Sequence, residues 1–170
     1  KAEIDFIIPN KPMYRIFELD DILELQGFTG EYVIQEKYDG MRIQIHKKGS
    51  DIKIFSFNKK DITDKCKKQV DEMKKRHFGD CILDAELVGF QGDEPVHRAD
   101  VVTHIFKKEV SGLELKAHVF DIMYHEEKNV AEDPLRERIN VLFYQYSQHS
   151  SEHLAFPSKK DTRIADSLSE

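Results

Sequence analysis

Along the first half of the chain, apolar positions alternate with polar ones or run β-branched. Tyr32 to Ile34 and Met41 to Ile45 have this character, with Asp39-Gly40 between them. The pattern predicts a strand, a tight turn and a returning strand. Ile52, Ile54 and Ser56, interleaved with Lys53, Phe55 and Phe57, carry the period of two past Lys48-Gly49-Ser50, so a third strand completes a meander. The period then changes. Asp61-Ile62-Thr63-Asp64 supplies helix-start residues, and Val70, Met73 and Phe78 lie near helical spacing up to Gly79, which predicts a helix from Thr63 to His77. Strands resume at Cys81 to Phe90 and at Glu114 to Met123, separated by a polar stretch and a short apolar segment from Val101 to Phe106. Asp133-Pro134 opens a helix with Pro in its first turn, and Leu135, Ile139, Leu142, Phe143 and Tyr146 form its apolar face. A last helix is predicted near Asp161, with Ile164 and Leu168 four residues apart. Strands and helices fall in separate blocks with no βαβ rhythm, so the fold class is α+β, mainly antiparallel sheets with flanking helices.

Composition narrows the function classes. The 170 residues, 39% hydrophobic, suffice for a packed core and read as one unit without repeat or linker. No stretch approaches the roughly 18 apolar residues of a membrane span, and Lys1 to Phe6 has no signal-peptide character. The expected setting is intracellular, the cytoplasm of a prokaryote or the nucleus of a eukaryote, with no membrane partner. Cys66 sits among lysines and Cys81 opens an apolar run, so both are expected as free thiols, and neither has a zinc-ligand neighbour. The eight histidines show no metal-ligand spacing. A net charge of −6 argues against a domain that wraps nucleic acid by itself. Lys59, Lys60, Lys65, Lys67, Lys68, Lys74, Lys75 and Arg76 nevertheless cluster, either as a solvated helix face or as a local phosphate-facing patch. No pattern signals an oligomer interface. The start at Lys1 and the stop inside a predicted helix suggest a piece of a longer protein.

Candidate chemistry concentrates in Glu36-Lys37-Tyr38-Asp39-Gly40-Met41-Arg42, where a lysine ends a hydrophobic strand and a turn brings Asp and Arg close. A buried or cation-flanked lysine can lose its proton and act as a nucleophile, which a solvated lysine with a pKa of about 10.4 cannot do at neutral pH. Spacing alone is equally compatible with an Asp-Gly hairpin flanked by solvated charges. Further on, Asp84 and Glu86 stand two apart on a predicted strand and so point to the same side.

Lys37-Tyr38-Asp39-Gly40-Met41-Arg42 resembles the KxDGxR signature of the covalent nucleotidyltransferases, the family of DNA ligases, RNA ligases and mRNA capping enzymes. Leu83-Asp84-Ala85-Glu86-Leu87-Val88 is similar to the family's next acidic strand motif. Ala117 to Tyr124, with Phe120-Asp121, is similar to the aromatic-Asp strand that follows it. Pro134-Leu135-Arg136-Glu137-Arg138 resembles the start of the succeeding helix in DNA ligases, so the likeness covers Tyr32 to Arg138. It implies an ATP-grasp-like ligase and capping-enzyme nucleotidyltransferase fold over residues 1–170, as a partial adenylation domain, with DNA-binding and OB-fold domains outside it. It implies Lys37 as the residue that becomes joined to AMP, and nucleotide contacts from Gln35, Glu36, Asp39, Arg42, Glu86 and Phe120. Phe120 would stack on the purine, Arg42 would contact ribose or phosphate, and Glu86 would bond a ribose hydroxyl or lie near Mg²⁺. ATP and Mg²⁺ are then the implied cofactors and nicked duplex DNA the partner of the full-length protein.

The chain also departs from the pattern. Gln35 stands where DNA ligases commonly carry Glu, with Glu36 adjacent. Phe57 in Ser56-Phe57-Asn58 replaces the family's arginine, so that positive contact is missing or moved to Lys59 or Lys60. Neither a Glu-Gly strand motif nor a Lys-x-Lys motif follows Arg138. An ATP-dependent RNA ligase, a capping enzyme and a non-catalytic nucleotide-binding module remain alternatives at this point.

Overall fold

The alternation in residues 41–56 becomes two antiparallel strands, β2 (Met41–Lys48) and β3 (Asp51–Ser56), in a computed structural model that describes residues 31–165. The rest follows in chain order as α1 (Lys67–Lys74), β4 (Cys81–Gln91), β5 (Glu94–Pro95), α2 (Arg98–Phe106), β6 (Leu113–His125), β7 (Lys128–Asn129), α3 (Leu135–Val141), β8 (Leu154–Ala155) and β9 (Thr162–Ala165), with β1 (Tyr32–Gln35) at the front. The main sheet has the order β3-β2-β4-β6-β7, all antiparallel; β5 pairs with β4, and β8 joins β6 in parallel. The architecture is α+β with mainly antiparallel sheet.

Period two gives the sheet two different faces. Ile43 and Ile45 of β2, Leu83, Ala85 and Leu87 of β4, and Ala117 and Val119 of β6 form one apolar face. Val70 and Met73 of α1 and Val101 and Ile105 of α2 cover it, joining one continuous core. The spacing of Val101 and Ile105, one helical turn apart, is what lets nine residues bury a stripe. The opposite face carries Arg42, Gln44, His46, Asp84, Glu86 and His118.

Three elements differ from the expectations. The strand at Tyr32 does not return through Asp39-Gly40: β1 pairs with β9 in a separate two-stranded sheet, Val33 opposite Ile164 and Gln35 opposite Thr162. No β1-β2-β3 meander therefore forms. The helix expected near Asp161 is the strand β9, because pairing with β1 at the other end of the described residues outweighs local spacing; Leu168 lies outside the described residues. The helix expected from Thr63 to His77 is a 3₁₀ turn (Thr63–Lys65), a break at Cys66 with φ −116° and ψ 42°, and α1, which ends at Lys74. Beyond it the chain leaves helical geometry and carries Phe78 to Tyr146 and Phe156, with ring centroids at 4.8 and 6.0 Å. The apolar segment at Val101 to Phe106 is helical, as α2. The Pro134 helix is present, and α3 widens after Val141 into a π-helical turn (Leu142–Tyr146) that buries Tyr146 completely.

Candidate active site

Residues 36–40 carry the chain from the small sheet to the large one, and the candidate nucleophile lies in that crossing. The Glu36 amide extends the β1-β9 pairing by donating to the Asp161 carbonyl at 2.9 Å. Four residues later Gly40 is buried against β4, its amide donating to Glu86 Oε1 at 3.2 Å. A Cβ at Gly40 would stand 2.3 Å from the Leu87 carbonyl oxygen, so only glycine permits this approach. The glycine of the motif thus serves close docking onto β4, where the sequence had suggested a hairpin turn. The Asp39 carboxylate accepts from the Arg98 amide at 3.4 Å at the start of α2, and the Arg98 guanidinium donates to the Gly40 carbonyl at 3.3 Å.

Lys37 itself is exposed, two residues beyond the end of β1. Its charge is among those that lower the Glu86 pKa, together with Arg98 and Arg42 and after the Gly40 hydrogen bond, whereas burial, the largest influence, raises it. The net direction is upward. Glu86 reaches the crossing segment through the amide of Gly40, three residues after Lys37.

The polar face of the sheet holds buried charge, which is stable only when paired. Asp84 and Asp121 are opposite one another on β4 and β6. Arg42 donates through Nε and Nη2 to Asp84 at 3.0 and 2.5 Å, and Arg138 of α3 donates likewise to Asp121 at 2.8 and 2.9 Å. Burial pushes the Asp84 carboxyl upward although the Arg42 pair pulls it back. The Arg42 guanidinium carbon also lies 5.6 Å from the centroid of Phe57 and 5.5 Å from that of Phe120, within cation–π range of both rings. Phe57, in place of the family's arginine, thus rests against the neighbouring cation. Lys60, one of the two lysines expected to take over the missing charge, places Nζ over Phe106 at 5.3 Å.

Phe120 follows the alternation of Ala117, His118 and Val119 onto this face, and a bulge lies beside it. Asp84 is opposite Asp121 while Ala85 is opposite Val119, which leaves Phe120 as the extra residue on β6. Such an insertion breaks strict alternation after Phe120 and brings Asp121 opposite Asp84 on the same face. The Phe120 carbonyl accepts from Gln35 Nε2 at 3.0 Å, tying the end of β1 to β6. Glu36 is exposed and lies near the Tyr38 phenol. Burial and the nearby Asp161 and Glu36 carboxylates push that phenol up to about 12.

The structure therefore gathers Gln35, Lys37, Arg42, Glu86 and Phe120 where the crossing segment meets β4 and β6, with Asp39 turned toward α2. Sequence reasoning missed Asp84 and Asp121 as an arginine-paired couple, Arg98 as an anchor for the loop, and His118. The His118 ring stacks on Tyr38 with centroids 3.8 Å apart and planes at 20°. Cross-strand register places Arg42 and His118 on either side of Glu86; the Arg98 contact and the Tyr38 stack depend on how the crossing segment docks. Among the described residues no cluster of three or more His, Cys, Asp or Glu forms a metal site. Cys66 and Cys81 are buried free thiols, each pushed up to about 12 chiefly by burial. No helix of the described residues is long and apolar enough to cross a membrane.

Comparison with known proteins places these residues in context. Residues 18–170 match the family described as the ATP dependent DNA ligase domain. The chain is 34% identical over 151 residues to a DNA ligase of Methanococcus aeolicus, covering 84% of this chain and 26% of that protein. It is 33% identical over 114 residues to a DNA ligase of Archaeoglobus fulgidus, covering 64% and 20%. The chain thus spans about a quarter or less of the length of these curated relatives. Among solved structures, the ligase domain of M. tuberculosis LigD superposes with a TM-score of 0.54 at 12% identity, covering 74% of this chain and 39% of that one. A mycobacterial DNA ligase D complexed with ATP and MES superposes at 0.56, again at 12% identity, covering 74% and 40%. At that identity the likeness establishes the fold.

Proposed function

The chain belongs to the ATP-dependent DNA ligase domain family, and on that premise we propose that the protein seals nicks in duplex DNA through an AMP carried on Lys37. The observation that supports this reading best is the meeting of Lys37, Glu86, Arg42 and Phe120 at the segment crossing between the two sheets. Lys37 Nζ, once deprotonated, attacks the α-phosphorus of ATP; a P–N bond forms and the bond to pyrophosphate breaks. The AMP passes to a 5′-phosphate at a nick, and the adjoining 3′-hydroxyl displaces it to form the phosphodiester.

Each side chain has a physical task in this scheme. Phe120 offers an aromatic surface to adenine, and Gln35 and Glu36 line the approach to the base. Arg42, oriented by Asp84 and the two phenylalanines, presents a fixed positive charge to ribose or phosphate. Asp39 holds the loop to α2. Glu86, half-buried and already fixed by the Gly40 amide, suits a ribose hydroxyl. It also offers a single carboxylate of the kind that accompanies Mg²⁺, which takes most of its remaining ligands from water and substrate phosphates; when bound, Mg²⁺ supplies neutralisation of phosphate charge. Preorganised charges of this type typically stabilise a transition state by about 2.7–4 kcal/mol each. Lys37 is exposed here, so the bound nucleotide must itself help to exclude water from it.

Full-length protein incubated with ATP, Mg²⁺ and duplexes carrying a single 5′-phosphorylated nick, in DNA or in RNA, tests the reading. Sealing of the DNA nick by the wild type and none by Lys37→Arg is expected, because guanidinium keeps the charge but not the nucleophile. Sealing retained in Lys37→Arg would refute the role of Lys37, and sealing confined to RNA would overturn the choice of substrate.

A further inference from the structure

The crossing segment that carries Lys37 is gripped on three sides. Gln35 bonds the Phe120 carbonyl, Gly40 docks on β4 through Glu86, and between them Tyr38 lies flat on His118. The last grip is of a different kind, because it is a face-to-face stack and uses neither ring nitrogen of the histidine as a tether to the loop. His118 Nε2 is buried without a hydrogen-bond partner among the described residues, so the imidazole is retained at the expense of an unmet polar atom. Such a residue is held for what its plane does, or for a partner that arrives later.

We propose that His118 is a positioning residue for Lys37: its ring, stacked on Tyr38 and seated beside Glu86, fixes the backbone of the crossing segment so that the lysine reaches the α-phosphorus in line. The proposal rests on Lys37 being the AMP acceptor. Two further observations agree with it. Tyr38 is the immediate neighbour of Lys37, so a shift of its ring displaces the lysine directly. The ring is also kept uncharged: burial and Lys116 lower the His118 pKa to about 4, against the opposite pull of Asp161. Glu86 stands opposite on β4.

Single-turnover AMP attachment in the full-length protein provides the test, with His118→Ala, His118→Phe, Tyr38→Ala and the Tyr38/His118 double alanine variant. The expected result is a loss of at least about tenfold in the maximal rate for His118→Ala with the half-saturating ATP concentration little changed, since small misplacements of a nucleophile carry penalties up to about 100-fold. His118→Phe, which restores a flat ring without the nitrogens, should recover most of the rate. The double variant should lose no more than the worse single one. Where alanine prevents folding, His118→Leu fills the space without a planar ring and carries the same expectation. Additive losses, or a His118→Phe variant as slow as alanine, would overturn the stacking role; the latter would assign the function to a ring nitrogen. Attachment of AMP by a Lys37→Arg protein would instead refute the premise about Lys37, independently of His118.

Discussion

The two faces of the main sheet are made by the same strands and obey opposite rules. On one face Ile43, Ile45, Leu83, Ala85 and Val119 are buried beneath α1 and α2, and each needs only volume and shape. On the other, Arg42, Asp84, Asp121 and Arg138 are largely buried with their charge, and each needs a specific partner at a specific distance. A fold in search of stability alone would not choose the second arrangement, because well-packed apolar groups do as well or better than a buried ion pair. The difference teaches that the charged face is maintained for what it holds in place.

The comparison can be broken first on the charged face. Arg42→Met removes the partner of Asp84, whose side chain is only 2% exposed. It should destabilise the protein by about 3–5 kcal/mol, the penalty for an uncompensated buried charge, as measured by denaturant unfolding. A loss below 1 kcal/mol, a surface-pair value, would show that Asp84 is effectively solvated or neutral. The apolar face gives the reference. Ile45→Ala should cost about 2–5 kcal/mol through lost burial and a cavity, without altering nucleotide affinity beyond the effect of stability. An Ile45 variant that folded normally but lost ATP binding would erase the division of labour between the faces.

Smaller effects sharpen the contrast. Phe120→Ala should weaken ATP binding by about 1–3 kcal/mol, the usual value of base stacking on an aromatic ring, in calorimetry on the full-length protein. Unchanged affinity would return Phe120 to a supporting role for Arg42. A further prediction concerns pH. His118 has a folded pKa of about 4 against an ordinary 6.5, so between those values the unfolded chain binds a proton that the folded one refuses. Stability from this group is therefore lost as pH falls from 6.5 toward 4. Glu86, raised by burial, acts with the opposite sign, so the stability difference between wild type and His118→Phe isolates the histidine. That difference should shift in favour of the phenylalanine variant as pH drops through the window, and a difference independent of pH would contradict it.

How much could be read in advance follows the same division. Strands β4 and β6 were legible because long alternating runs report burial on one face directly, and Asp84 and Glu86 could be placed on a common side by period two. The pairing of β1 with β9 was not legible, since Ile164 and its neighbours satisfy helical and alternating spacing equally and only a partner far away in sequence decides. Helix α2 was seen merely as an apolar segment, because nine residues with two buried positions leave little periodic signal. Residues of the KxDGxR motif pointed to the candidate site, but its glycine was explained by the wrong cause. A tight approach to Leu87 is a tertiary fact that the dipeptide Asp39-Gly40 does not contain. The bulge that brings Asp121 opposite Asp84 belongs to the register between strands, and the stack of Tyr38 on His118 to the docking of the crossing segment; both are silent in a single sequence.

The account stands on one covalent bond. Full-length protein treated with ATP and Mg²⁺, digested and analysed by mass spectrometry should show a single AMP-modified peptide, with the adduct on Lys37 and acid-labile as a phosphoramidate. An AMP adduct on any other lysine, or ATP-dependent sealing with no adduct at Lys37, would contradict it.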